Sequence, residues 1–452
     1  MQLNREAFGD DFYWGVSTAA YQIEGAHDLD GKGVSIWDRF TQRKKKILDG
    51  HHGNIACDFY NRYREDISLL SQLHIPNYRF SIAWSRIFPQ GIGPVNHSGV
   101  DFYNRVIDEC LRYDIEPWVT LYHWDLPETL EDKGGWTNRD MIGWFETYVE
   151  YCIKQFGDRV KRWMILNEPM VFTGAGYFLG VHAPGRKGLS NFLSAVHHAA
   201  LCQAEGGRIV KSLDKDALVG TTFSYSHLEP YRDIEKDHKA VKKTDALLNR
   251  LFIEPLLGLG YPLQDLKILQ RLEGFYKNGD SARLAFDMDF VGLQNYTREI
   301  VRHAPFMPFI KAKIIKASKR KVEKTQMDWE VYPPAIFQAL TRWSRYKNLK
   351  DIIVTENGAA FEDECIEGNV YDPKRLKYIQ NHIAQVYLSR LAGTRVKGYF
   401  IWTLLDNFEW AEGFHPKFGL VHVNFENQER IVKASGDWYS GFLSGKISAD
   451  IP

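Results

Sequence analysis

The chain has 452 residues, 44% hydrophobic and 25% charged, the proportions of an ordinary globular protein. Its 57 Lys and Arg balance 57 Asp and Glu, which argues against a nucleic-acid or anionic-membrane surface as the main partner. Aromatic residues reach 14%, which fits an aromatic-rich core, or a site that stacks flat apolar faces such as those of sugar rings. The cysteines at 57, 110, 152, 202 and 365 form no CxxC pair, so reduced, buried thiols and a cytoplasmic setting are expected. The start, MQLNREAFGDDFYWG, lacks a basic stretch followed by an apolar run, so no signal peptide is expected. Nowhere do roughly 18 apolar residues run together, so no membrane span is expected either.

In chain order, short apolar and aromatic runs at 12–17, 77–82, 116–122, 162–166, 218–224, 290–294, 352–355 and 398–404 predict buried parallel strands. Amphipathic stretches lie between them. Residues 101–113 place Phe102, Val106 and Cys110 on one helical face, 141–156 do the same with Phe145, Tyr148 and Cys152, and 191–212 form a third. Eight strands alternating with helices predict an α/β chain folded as a single (β/α)₈ barrel with long βα loops over 1–452. A doubly wound sheet is disfavoured. No G-x-G-x-x-G follows an early strand, and polar residues cluster at the ends of many strands rather than at one switch point. Segment 311–324 carries seven Lys or Arg against one Glu. A solvated loop is the favoured reading, and a mobile cover over the barrel mouth is the sharper one.

Barrel enzymes carry their chemistry where strands end and βα loops begin. The strand ends give Gln22, Arg79, His123 with Trp124, Asn167 with Glu168, Tyr296, Glu356 with Asn357, and Trp402. The loop after the last strand adds Glu409 and Trp410. Polar groups from seven of the eight strands would then converge on one pocket. Two carboxylates at the ends of strands four and seven suit glycoside hydrolysis, in which one protonates the leaving oxygen and the other meets the oxocarbenium-like centre. A low-dielectric pocket and a nearby negative charge would keep Glu168 protonated. Arg79 and a hydrogen bond from Tyr296 would favour ionised Glu356. Gln22, His123, Asn167 and Glu409 offer donors and acceptors to sugar hydroxyls, and Trp402 and Trp410 could wall the ring. In VTENG, Gly358 is read as allowing a sharp turn.

These residues resemble glycoside hydrolase family 1, the β-glucosidase family, over nearly the whole chain. The likeness runs through FYWGVSTAAYQIEG (12–25), YRFSIAWSRIFP (78–89), VTLYHWDLP (119–127), LNEP (166–169), VTENG (354–358), GYFIWTLLDNFEWAEG (398–413) and FGLVHVNF (418–425). The resemblance implies Glu168 as acid/base and Glu356 as nucleophile. It implies Gln22, His123, Asn167, Glu409 and Trp410 as ligands of the non-reducing sugar, with Trp402 as stacking platform and Trp124 and Phe418 in the same wall. It implies Arg79 and Tyr296 as partners of the nucleophile, retention of configuration, and no metal or cofactor. Members acting on 6-phospho sugars usually carry Ser where Glu409 stands and Tyr where Phe418 stands, and a carboxylate at 409 would repel phosphate. An unphosphorylated β-glucoside is therefore expected, with β-galactoside or β-fucoside as side activities.

Three departures touch the leaving-group side or the residues packed behind the reacting ones: Met170 in place of Trp, Gln294 in place of Asn, and Ser224 where Asn is common. The flexible thioether of Met170 suggests a looser aglycone site. A non-catalytic sugar-binding barrel is disfavoured because both glutamates and their tuning groups are present. An enzyme cutting inside polymers is disfavoured because long aromatic loops suggest a closed pocket. Transglycosylation and homo-oligomerisation stay open.

Overall fold

In a computed structural model that describes residues 2–450, the eight expected strands close into a parallel barrel. They are β1 (Tyr13–Ser17), β2 (Asn77–Ser81), β3 (Glu116–Tyr122), β4 (Arg162–Asn167), β5 (Leu218–Ser224), β6 (Phe290–Gln294), β7 (Asp351–Asn357) and β8 (Val396–Trp402). Each strand pairs with its chain neighbours, and β8 closes on β1 with Trp402 opposite Ser17. A principal helix follows each strand: α1 (Phe59–Gln72), α2 (His97–Arg112), α3 (Met141–Phe156), α4 (Leu189–Leu213), α5 (Glu235–Asp245), α6 (Pro334–Trp343), α7 (Pro373–Leu391) and α8 (Ala434–Leu443).

The strands are buried along nearly their whole length, because helices cover the outside and side chains fill the inside. Trp118, Met164, Phe290, Ile353 and Phe400 form a separate apolar cluster contributed by five strands. A Cβ at Gly15 would lie 2.5 Å from the Phe400 ring, so the bulky plug requires a glycine there. Arg79 rests on this plug, its Nε donating to Thr120 Oγ1 at 3.1 Å and to Met164 Sδ at 3.0 Å. The plug thus fills the barrel beneath the polar strand ends.

Segment 311–324 is partly regular. Ala312–Ile314 pairs antiparallel with Arg298–His303, which pairs with His227–Pro230. The segment then makes a short 3₁₀ turn at Ala317–Lys319. Arg320 pairs with Glu330 and Lys324 with Asp328. Among the described residues, none of 311–324 lines the pocket at the barrel mouth. Met327 and Trp329, just beyond it, do reach the pocket. Four cysteines are buried as expected, whereas Cys365 is exposed on a hairpin. Among the described residues, no helix is long and apolar enough to cross a membrane.

Candidate active site

The strand ends surround a pocket of about 240 Å³ lined by Glu168, Glu356, His123, Trp124, Tyr296, Trp402, Glu409, Trp410 and Phe418. Glu356 is the penultimate residue of β7, Trp402 is the last of β8, and Glu168 directly follows β4. Glu168 takes a left-handed backbone conformation at φ 44°, with Pro169 opening a short helix behind it. Trp124 at φ 80° and Trp410 at φ 47° share that conformation. It costs a non-glycine residue on the order of 1 kcal/mol or more and persists only where the surroundings enforce it. Three such residues lining one pocket mark a site whose side-chain directions override local backbone preference.

Glu356 is held from both oxygens. Arg79 Nη1 and Gln294 Nε2, the latter at 2.7 Å, donate to Oε1, and the Tyr296 hydroxyl donates to Oε2 at 2.5 Å. Arg79 also donates through Nη2 to Asn167 Oδ1 at 2.6 Å, and Gln294 reaches the same oxygen at 2.8 Å. One guanidinium therefore orients the strand-four and strand-seven groups together. Burial raises the Glu356 carboxyl, and the Arg79 charge and Tyr296 hydroxyl pull it back down. Glu168 is pushed well above the usual carboxylate range, first by burial and then by the Glu356 charge, against a hydrogen bond from Ser224. The pair is thereby split: the first proton leaves Glu356 and the second stays on Glu168.

The rest of the pocket offers hydrogen-bond donors and acceptors beside aromatic rings. Burial pushes His123 well below its ordinary value, so the ring is neutral, with one nitrogen donating and one accepting. Its Nε2 meets Asn167 Nδ2 at 2.9 Å, and its Nδ1 has no hydrogen-bond partner among the described residues. The same is true of Gln22 Oε1, while Gln22 Nε2 donates to Phe408 O at 2.8 Å and reaches Glu409 Oε2 at 3.3 Å. Burial and the Glu356 charge raise Glu409 to about 8, opposed by hydrogen bonds from Gln22 and Trp402. The Trp410 ring packs 4.6 Å from both Trp124 and Trp37.

Every residue expected at the site lies at this end of the barrel, yet not all of them line the pocket. Gln22, Arg79 and Asn167 are fully buried and reach the wall through hydrogen bonds to Glu409, Glu356 and His123. Met170 and its neighbour Val171 both pack against the core, and Val171 also lines the pocket. One expectation is corrected. Gly358 is not in the left-handed region, and its requirement is close approach, since a Cβ there would lie 1.9 Å from the Trp402 carbonyl oxygen. The sequence reading missed Gln294 and Ser224 as direct partners of the two glutamates. It also missed His182, Met327 and Trp329 as lining residues.

Two clusters have metal-ligand spacing, Asp49–His51–His415 and Asp363–Asp406–His422. In the first, His51 Nδ1 already accepts the Phe414 N–H. In the second, Lys433 Nζ lies 2.6 Å from Asp363 and 2.7 Å from Asp406, in the place a cation would take. Neither cluster includes the glutamate pair.

The sequence profile of Glycosyl hydrolase family 1 matches residues 4–447. Beta-glucosidase A of Acetivibrio thermocellus is 41% identical over 97% of this chain and 98% of its own length. The 1,4-beta-D-glucan glucohydrolase of Thermotoga neapolitana is 41% identical over 98% and 99%. The solved family 1 β-glucosidase of Thermotoga maritima superposes with a TM-score of 0.94 at 40% identity, covering 98% of this chain and 99% of that one. Motifs, barrel and comparisons agree: the chain belongs to glycosyl hydrolase family 1, a family of retaining glycosidases.

Proposed function

We propose that the chain removes terminal β-D-glucosyl residues from short oligosaccharides and from aryl or alkyl glycosides, with Glu356 as nucleophile and Glu168 as acid/base. The observation that carries the reading is the split carboxyl pair. Three donors hold Glu356, while burial and the Glu356 charge keep a proton on Glu168. In the first step the Glu356 carboxylate attacks the anomeric carbon as Glu168 protonates the departing oxygen, and a glycosyl ester forms. In the second, the Glu168 carboxylate takes a proton from water, whose oxygen attacks the same carbon and releases Glu356. Two inversions give net retention.

Trp402, Trp410, His123 and Glu409 suit the non-reducing sugar, with Gln22 and Asn167 orienting them from behind. The Glu409 carboxyl spans two adjacent hydroxyls, so a galactoside is hydrolysed more slowly than a glucoside rather than refused. The relatives named as β-glucosidases support glucose as the preferred ring.

The test is nitrophenol release from 4-nitrophenyl β-D-glucoside by the wild type, by Glu356→Gly, and by Glu356→Gly with azide. Activity in the wild type, loss in the variant and azide rescue to a glycosyl azide of inverted configuration are expected. A variant that keeps full activity would overturn the assignment.

A further inference from the structure

Residues 304–311 close the hairpin between Arg298–His303 and Ala312–Ile314, the edge strand of the small sheet beyond β6. The tip is ordered by its own backbone. Met307 N donates to Ala304 O at 3.0 Å, Lys311 N to Met307 O at 3.2 Å, and Ala304 N to Lys311 O at 2.9 Å. On this frame stand Phe306, Met307 and Phe309, which are 97%, 45% and 48% exposed. The sheet does not need them as cover. Its inner face already packs Leu228, Val301 and Ala312 against Ala240 of α5, with Ile310 and Val241 alongside. One exposed apolar side chain is ordinary, but this cluster, framed by Pro305 and Pro308, holds an apolar tip in water.

The chain behind the tip carries cations. Of the seven in 311–324, only Arg320 and Lys324 have an acidic partner among the described residues. Lys311, Lys313, Lys316, Lys319 and Lys321 are exposed without one. Lys313 is the register partner of Arg302, and both alternate with the buried Val301 and Ala312, so they share the outer face. Like charges directly opposite on a sheet repel, and an anion on this face relieves them. Neighbouring carboxylates are already engaged: Asp237 by Arg232 and the His303 N–H, Asp328 by Lys324 and Ser318, and Glu330 by Arg298 and Arg320. Glu323 is the one acidic residue of 302–324. The charge balance of the whole chain therefore does not hold on this face.

We propose that the hairpin is a peripheral docking surface for an anionic lipid bilayer. Phe306, Met307 and Phe309 enter the boundary between headgroups and acyl chains, and Arg302 with the exposed lysines of 311–321 meets the headgroups. A polyanion in water would engage the lysines and leave the apolar tip in solvent. A symmetric contact with a second copy would set the lysines against themselves. The strand Arg298–His303 begins two residues after Tyr296, which lines the pocket, so docking brings the pocket end of the barrel toward the bilayer.

The test is co-sedimentation of the full chain with vesicles of phosphatidylcholine alone and of phosphatidylcholine mixed with phosphatidylglycerol, at low and at raised salt. It compares the wild type, Phe306→Ser/Phe309→Ser and Lys313→Gln/Lys316→Gln. The wild type is expected to bind the mixed vesicles only, and less tightly as salt rises. The lysine variant is expected to lose about fivefold in partitioning per charge removed. The phenylalanine variant is expected to lose binding at raised salt. Neither variant should melt below the wild type, because all four side chains are exposed. Absence of binding to the mixed vesicles, equal binding to both kinds, or full binding by the phenylalanine variant overturns the proposal. Retention on heparin or single-stranded RNA without vesicle binding, or a dimer that the phenylalanine substitutions disperse, overturns it in favour of those partners.

Discussion

Glu168 and Gln294 show what single side chains contribute. Glu168 ionises only above the ordinary carboxylate range, so hydrolysis declines on the alkaline side as pH rises through its pKa. Glu168→Gln is neutral at every pH, so its alkaline limb is expected to vanish. Cellobiose hydrolysis should fall by about 10²–10⁴-fold, while cleavage of a 2,4-dinitrophenyl glucoside, which needs no proton, should fall far less. Profiles of kcat/KM against pH for the two substrates check this, and an unchanged alkaline limb in the variant would refute it. Gln294 works on the opposite limb. Glu356 must be ionised, and activity is lost as pH falls through its pKa. Gln294→Leu removes a donor to Oε1, and a hydrogen bond to a charged group contributes roughly 1.5–3 kcal/mol. The acidic limb should therefore move up by about one pH unit or more. At this scale the sequence was informative wherever a motif was intact, and poor where it departed. Gln294 and Ser224 stood out only as deviations, and nothing in one dimension shows that the longer Gln294 amide reaches both Asn167 and Glu356.

The strands were legible because a helix-covered barrel demands continuous apolar runs, and those runs are visible in sequence. Only β8 was displaced, starting and ending two residues earlier than the 398–404 run. The loop after β6 was less legible. Its lysines suggested a solvated stretch, and the antiparallel pairing of Ala312–Ile314 depends on a distant partner at Arg298–His303. Contacts of that kind leave little mark on local composition. Gly358 and Gly143 give an element-scale prediction of opposite signs. Gly358 follows β7 against the Trp402 carbonyl, so Gly358→Ala forces β7 and β8 apart and is expected to destabilise by about 1–3 kcal/mol. Gly143 lies on the exposed side of α3 with no atom within 4 Å of an added Cβ, and Gly143→Ala is expected to stabilise by about 0.5–1 kcal/mol. Denaturant unfolding of both variants checks the pair, and equal midpoints would contradict the contact argument.

Across the whole molecule, the formal charge balances to zero, yet the barrel mouth concentrates carboxyls that burial disfavours in their ionised form. Such groups make the fold less stable as pH rises. Glu409 is the clearest case, because its carboxyl is raised to about 8 in the folded chain from an ordinary 4.5. The folded state binds that proton more tightly than the unfolded chain. Its contribution is therefore fully present below the ordinary carboxylate pKa and is lost as pH rises through about 8. At 1.36 kcal/mol per pH unit, the loss by neutral pH is on the order of 3 kcal/mol. Glu409→Gln removes the titration while keeping the shape. Relative to the wild type it should gain stability steadily from mildly acidic to mildly alkaline pH, while kcat/KM for the glucoside falls because an acceptor for sugar hydroxyls is gone. Unfolding midpoints of both proteins across that range, read beside glucosidase assays, separate the two effects. If the wild type and the variant lose stability in parallel as pH rises, the strain lies in another buried carboxyl of the mouth. A gap that widens with pH locates it at Glu409, where the group proposed to meet the sugar is also the one the fold holds at a cost.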